Sequence, residues 1–190
     1  FDKLDFDVRL HPGGSVFHGL SIHNYLKGLP IEIDTYNFGS VDSIGVVIFS
    51  AGRRRYTVPH SRFLIHSVKF NINGQLSMDE KQLEEYLKSL QIDQRNIAKV
   101  IADTTGKTVE AVDADMNNRT TLNPTEAQTY GIVHEIKTEL LTSTMQVITI
   151  GEPIQGQPYG LKQFAVPNMQ AVTEPNVDTF TENISVHITT

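Results

Sequence analysis

The stretch Gly39 to Gly52, GSVDSIGVVIFSAG, constrains the fold more tightly than any other part of the chain. Small, turn-forming residues run as far as Ser43, and the run Ile44 to Ala51 that follows is almost wholly apolar. Closed by Gly52, that run reads as a short helix without a polar face, and a helix apolar on all sides has to be buried. Ser43 then stands at the mouth of a buried helix, beside backbone N–H groups that have no acceptor within the helix. A serine in that place is most often an ordinary helix cap. It is also where a nucleophile can be presented and a developing oxyanion held.

Two other segments fit the second reading. In SRFLIHS, His66 ends an apolar, strand-like run that begins after Pro59. His11-Pro12-Gly13-Gly14 is a glycine turn between the alternating strand Leu4 to Leu10 and an expected helix from Ser15 to Lys27. Alone, His66 reads as a core histidine and PGG as a plain turn. Taken with Ser43, they read as base and oxyanion loop.

The remaining elements follow from caps and periodicity. Pro30 opens the short strand IEIDTY, Gly39 to Ser43 is a turn, and Arg53, Arg54 and Arg55 form a solvated basic turn before YTV. Asn73-Gly74 is a turn signal. Ser77-Met78-Asp79-Glu80 is a capping box for a helix running to about Asp103. Leu83, Leu87, Leu90, Ile97 and Ile101 form one stripe on it, which skips a step at Gln94. Thr108 caps a short helix through Val112. Asn123-Pro124-Thr125-Glu126 starts another that ends at Tyr130-Gly131, and Ile132 to Ile136 returns as a strand. Beyond Glu139 helical periodicity is lost, leaving the strand-like pieces MQVITI (145–150) and NISVHIT (183–189).

Composition narrows the chemistry. With 190 residues, 39% of them hydrophobic and 20% charged, the chain can build one domain core without staples. It has no cysteine, which removes disulfides and thiolate metal sites. A net charge of -6 argues against a nucleic-acid partner. No apolar run approaches the roughly 18 residues of a membrane span. His18 and His23 do not share a helix face and no HExxH is present, so no metal is expected. Phe1 opens directly into strand-like sequence, and a preceding segment is expected.

PGGSVFHGLSIHNYL, GSVDSIGVVIFSAG, VPHSRFLIHS and LNPTEAQTYGIVHEI, in that order and spacing, resemble the proteolytic subunit of the Clp protease (ClpP) over about Leu4 to Ile136. The resemblance implies an α/β, ClpP/crotonase-like fold of repeated ββα units whose N-terminal part is missing from the start of the chain. It implies a peptidase domain over 1–140 and an irregular tail over 141–190, from which MQVITI or NISVHIT supplies a missing strand. It implies a serine endopeptidase with Ser43 as nucleophile, His66 as base, and the Gly14 and Ile44 N–H groups as oxyanion donors. No cofactor is required. The implied partners are polypeptide substrates, further copies in a ring joined through the long helix, and an AAA+ unfoldase; a cytoplasmic location is expected.

The family's third triad member is an aspartate, and ungapped alignment places Arg119 there, with Asp115, Asn117 and Asn118 nearby as candidates. Loss of the orienting acid costs about four orders of magnitude in turnover in template enzymes. A catalytically weak or inactive ring subunit is therefore the alternative. A crotonase-type acyl-CoA enzyme is a further rival on the same fold, disfavoured by the Ser43 and His66 matches.

Overall fold

Strand and helix signals alternate through the first half of the chain, and the chain folds accordingly. The computed structural model describes residues 14–69 and 77–139, together with the backbone of strands at 3–8, 146–150, 162–164 and 184–188. Asn73-Gly74 and the first part of the HPGG turn lie outside the described residues. The elements run β1 (Lys3–Val8), α1 (Val16–Gly28), β2 (Glu32–Asn37), β3 (Ser40–Asp42), α2 (Ile44–Phe49), β4 (Arg54–Thr57) and β5 (Arg62–Ile65). They continue with α3 (Glu80–Thr105), α4 (Val109–Asn117), β6 (Thr120–Leu122), α5 (Pro124–Tyr130), β7 (Glu135–Ile136), β8 (Gln146–Ile150), β9 (Lys162–Phe164) and β10 (Ile184–Ile188).

The larger sheet has the order β7-β4-β2-β1-β10-β8-β9. Its β7-β4-β2-β1 part is parallel, and β10 then adds to β1 antiparallel, with Leu4 opposite Ile188. In β2, Ile33 through Asn37 are all buried, as expected for an inner strand of a parallel sheet covered on both faces. The smaller sheet, β3-β5-β6, is built from short strands: β3 runs parallel to β5, and β6 antiparallel to it. The turn expected from Gly39 to Ser43 therefore includes a short strand, because Ser40 to Asp42 find ladder partners in Arg62 to Leu64 that are distant in sequence.

Every residue of α2 is buried, as its composition requires. Phe49 packs on Phe63 with ring centroids 5.1 Å apart, and burial of such a side chain stabilises the fold by about 1.5–3 kcal/mol. α1 lies against α2 through Gly19. A Cβ there would sit 2.1 Å from Ile44 Cγ1, so only glycine permits this approach.

Caps account for most element ends. Asn123 and Glu126 form the expected reciprocal box, and Gly131 ends α5 at φ 95°. The box of α3 starts two residues later than the sequence suggests. Asp79 accepts from the Gln82 N–H and Gln82 Oε1 accepts from the Asp79 N–H, so the Ser77–Glu80 pair is not used. α4 continues past Val112 to Asn117, since Met116 on its next turn is drawn into the core.

Arg55 is a larger departure. It is not part of a solvated turn but is buried at 7% exposure in β4. Its guanidinium donates to the carbonyls of Ile132 (2.7 Å), Gly52 (3.0 Å) and Gly131 (3.2 Å). Two of those carbonyls lie just past α5, at the end of a helix where acceptors are unsatisfied and a cation is favoured. Burial pulls Arg55 down to about 10, still charged at neutral pH.

Candidate active site

The smaller sheet brings Ser43 and His66 to one end. Ser43 directly follows β3, and His66 directly follows β5, its parallel neighbour. With Asp42 opposite Leu64, the two residues leave adjacent strands at their C-terminal ends. The Ser43 N–H donates to the Leu64 carbonyl at 2.7 Å, which ties the serine to the strand that carries the histidine.

Ser43 adopts φ 57° and ψ -125°, a region that residues with a Cβ rarely occupy. Such strain costs about 1–3 kcal/mol and persists only where the surroundings enforce it. Here the enforcement is the Leu64 bond on one side and the buried helix α2 on the other. The hydroxyl makes no capping bond to α2. Ser43 therefore holds the cap position without performing the cap's usual side-chain role. Ile44 is the first residue of α2, so its N–H has no acceptor within that helix. Gly14 immediately precedes Ser15, whose hydroxyl caps α1 by accepting from the His18 N–H. The contact of Gly19 with Ile44 brings α1, the helix that follows Gly14, against the start of α2.

His66 is half-buried, with Nδ1 2.7 Å from the carbonyl oxygen of Ser67. A carbonyl only accepts, so Nδ1 is the donor here, and in the neutral ring Nε2 then keeps its lone pair. Two of the three candidates for an orienting side chain have other side-chain partners. Asp115 Oδ2 accepts from the Tyr130 hydroxyl at 2.7 Å. Burial, and then that contact with Asp115, push the Tyr130 phenol well above its ordinary value. Asn117 Oδ1 accepts from Ser67 Oγ at 2.7 Å, and its Nδ2 donates to Asp113 Oδ2 at 3.1 Å. Asn118 closes α4 through its backbone N–H. Arg119, at φ 53°, directly precedes β6, whose first residue, Thr120, pairs with Ile65.

The sequence reading missed the segment that follows His66. Ser67 and Val68 look like an ordinary exit from a strand, yet their backbone is bonded to two helices. The Ser67 N–H donates to the Met116 carbonyl at 3.0 Å, and the Val68 N–H donates to Gln94 Oε1 at 2.8 Å. The break in the α3 stripe at Gln94 was the one visible signal. The histidines weighed as metal ligands lie elsewhere: His23 is buried with Nδ1 2.8 Å from the Val47 carbonyl, and His18 is exposed. Burial is the main cause holding His23 below its ordinary value, with Lys27 contributing.

A family model described as Clp protease matches residues 9–139. The ATP-dependent Clp protease proteolytic subunit 1 of Corynebacterium jeikeium is 33% identical over 137 residues, which cover 70% of this chain and 71% of that protein. Proteolytic subunit 2 of Corynebacterium efficiens is 33% identical over 137 residues, covering 70% and 67%. Among solved structures, a ClpP1 point mutant from Listeria monocytogenes aligns with a TM-score of 0.63 and 25% identity, covering 73% of this chain and 76% of that one.

Proposed function

Because this chain belongs to the Clp protease family, a serine protease family, we propose that it is a working serine endopeptidase subunit acting on unfolded polypeptides. Ser43 Oγ attacks the scissile carbonyl while His66 Nε2 takes its proton. The Gly14 and Ile44 N–H groups hold the resulting oxyanion. Collapse of the tetrahedral intermediate expels the amine, which takes the proton from His66, and leaves an acyl group on Ser43. Water, deprotonated by the same Nε2, then releases the acid. The observation that carries this reading is the strained, uncapping Ser43 at the end of the strand beside the one that ends at His66.

Self-association through the exposed half of α3 and feeding by an AAA+ unfoldase complete the proposal. Leu83 and Leu87, one turn apart on that helix, are exposed at 62% and 56%, an apolar face suited to a second copy.

The alternative is a ring or scaffold subunit with little activity. It is favoured by the His66 contact to a neutral carbonyl where a triad has a carboxylate. A fluorophosphonate probe separates the two. Labelling that disappears in Ser43→Ala and falls sharply in His66→Ala supports the peptidase. A folded protein that is never labelled supports the scaffold.

A further inference from the structure

Ser67 and Val68 share one peptide unit, and a trans peptide is planar, with its C=O and N–H pointing in opposite directions. Whatever grips the Val68 N–H therefore aims the Ser67 C=O. The N–H is gripped by Gln94 Oε1 at 2.8 Å, and the C=O meets His66 Nδ1 at 2.7 Å. The Gln94 amide is itself prevented from flipping, because its Nε2 donates to Asp113 Oδ1 at 2.8 Å. The other carboxylate oxygen of Asp113 accepts from Asn117 Nδ2 at 3.1 Å, and Asn117 Oδ1 accepts from Ser67 Oγ at 2.7 Å. Every donor in this circuit meets an acceptor, and both oxygens of the one carboxylate are used. The circuit joins α3, α4 and the exit of β5.

We propose that the Ser67–Val68 peptide, aimed by Gln94 and anchored by Asp113 and Asn117, orients His66 in place of a directly bonded triad acid. This deepens the peptidase reading and rests on it for its catalytic consequence. Gln94, Asp113 and Asn117 are positioning residues: they act through the peptide on the ring, and the ring acts on Ser43. A carbonyl fixes the tautomer that leaves Nε2 basic, as a triad carboxylate does. It carries no full charge, so it stabilises the imidazolium less. Asp113 is linked to the ring through the Gln94 amide and the peptide rather than by a direct hydrogen bond.

The test reads the tautomer of His66 directly, by long-range nitrogen–proton NMR on the full chain labelled at histidine. The wild type is expected to show the Nδ1–H form. Gln94→Leu removes the grip on Val68, and the Nε2–H form should then appear. Gln94→Glu combined with Asp113→Asn keeps an acceptor for the Val68 N–H and a donor–acceptor pair between the two side chains, and should retain the wild-type signal. If Gln94→Leu does not fold, Asp113→Ala, which frees the Gln94 amide to rotate, provides the same reading. An Nε2–H wild type, or a tautomer indifferent to these substitutions, overturns the proposal whether or not the protein is labelled by fluorophosphonate. Conversely, failure of labelling with the tautomer response intact removes the peptidase reading and leaves the orienting circuit standing. Where the wild type hydrolyses peptides, Gln94→Leu should lower kcat by about tenfold or more with KM nearly unchanged, the pattern of an interaction made in the transition state.

Discussion

The two halves of α3 behave oppositely although they form one continuous helix. Toward the start, Leu83, Leu87 and Ile92 are more than half exposed; toward the end, Ile97, Ala98, Ile101 and Ala102 are buried to 6% or less. Residue type does not separate them, since both halves place aliphatic side chains at helical spacing. The neighbours do. The later half enters the core cluster with Val112, Met116 and Ile132, while the earlier half projects beyond it. Gln94 marks the border, and its side chain turns away to Val68 and Asp113. A hydrophobic stripe therefore reports that a face is to be covered, without saying whether folding or association covers it.

The sharpest way to break this contrast is truncation on each side of Gln94. Ile101→Ala should lower unfolding stability in a urea titration by about 2–5 kcal/mol, because it removes buried methylenes and leaves a cavity. Leu87→Ala should change it by less than about 0.5 kcal/mol, as for an exposed site. Comparable losses at the two positions would show that the halves are not energetically distinct.

Charge on the exposed half is the next test. Leu83→Glu combined with Leu87→Glu should leave the melting temperature of the subunit nearly unchanged and dissociate its assemblies, as followed by light scattering. Assemblies of unchanged mass would assign self-association to another surface.

A smaller effect concerns the anchoring of the buried half. Arg55, buried in β4, reaches the Thr104 carbonyl near the end of α3 and also faces His134 Nε2 at 3.1 Å. Desolvation first, and Arg55 second, hold His134 below its ordinary value. His23 is also lowered, chiefly by desolvation. In the window just below the ordinary histidine value of 6.5, the unfolded chain binds more protons than the folded one. These two groups therefore withdraw stability as the pH falls through that window, and restore it as the pH rises. Unfolding measured from about pH 7.5 to about pH 5.5 should show that decline, with a shallower slope in His134→Asn. Native-state hydrogen exchange at the lower pH should quicken at the end of α3 before it changes at Leu83, and the reverse order would contradict the anchoring role of Arg55.

Legibility in the sequence followed locality. Asn123 with Glu126 is a pair of residues three apart, and it formed as read. The apolar run after Ser43 has no face to give to water, so its burial was also legible. Where two local signals competed, the choice was not. Ser77–Glu80 and Asp79–Gln82 both offer a box, and the backbone selected the second. Arg55 reads as a surface cation among its neighbours because the carbonyls that accept it come from Gly52, Gly131 and Ile132, the last two far along the chain. The partner of His66 was missed for a related reason. Sequence advertises side chains by type, whereas the contact is to the backbone of the next residue, and any sequence supplies a carbonyl there.

Residue order alone determined that Ser43 stands before a buried helix and that His66 follows directly on a strand. These are properties of short windows, set by periodicity and caps. The tertiary structure decided which strands became neighbours, and so that Ser43 and His66 leave adjacent strands at the same end. It also decided that Gln94, Asp113 and Asn117 close around the Ser67–Val68 peptide. Such contacts join groups far apart in the chain, and their energies depend on directions and distances that appear only once the core has packed.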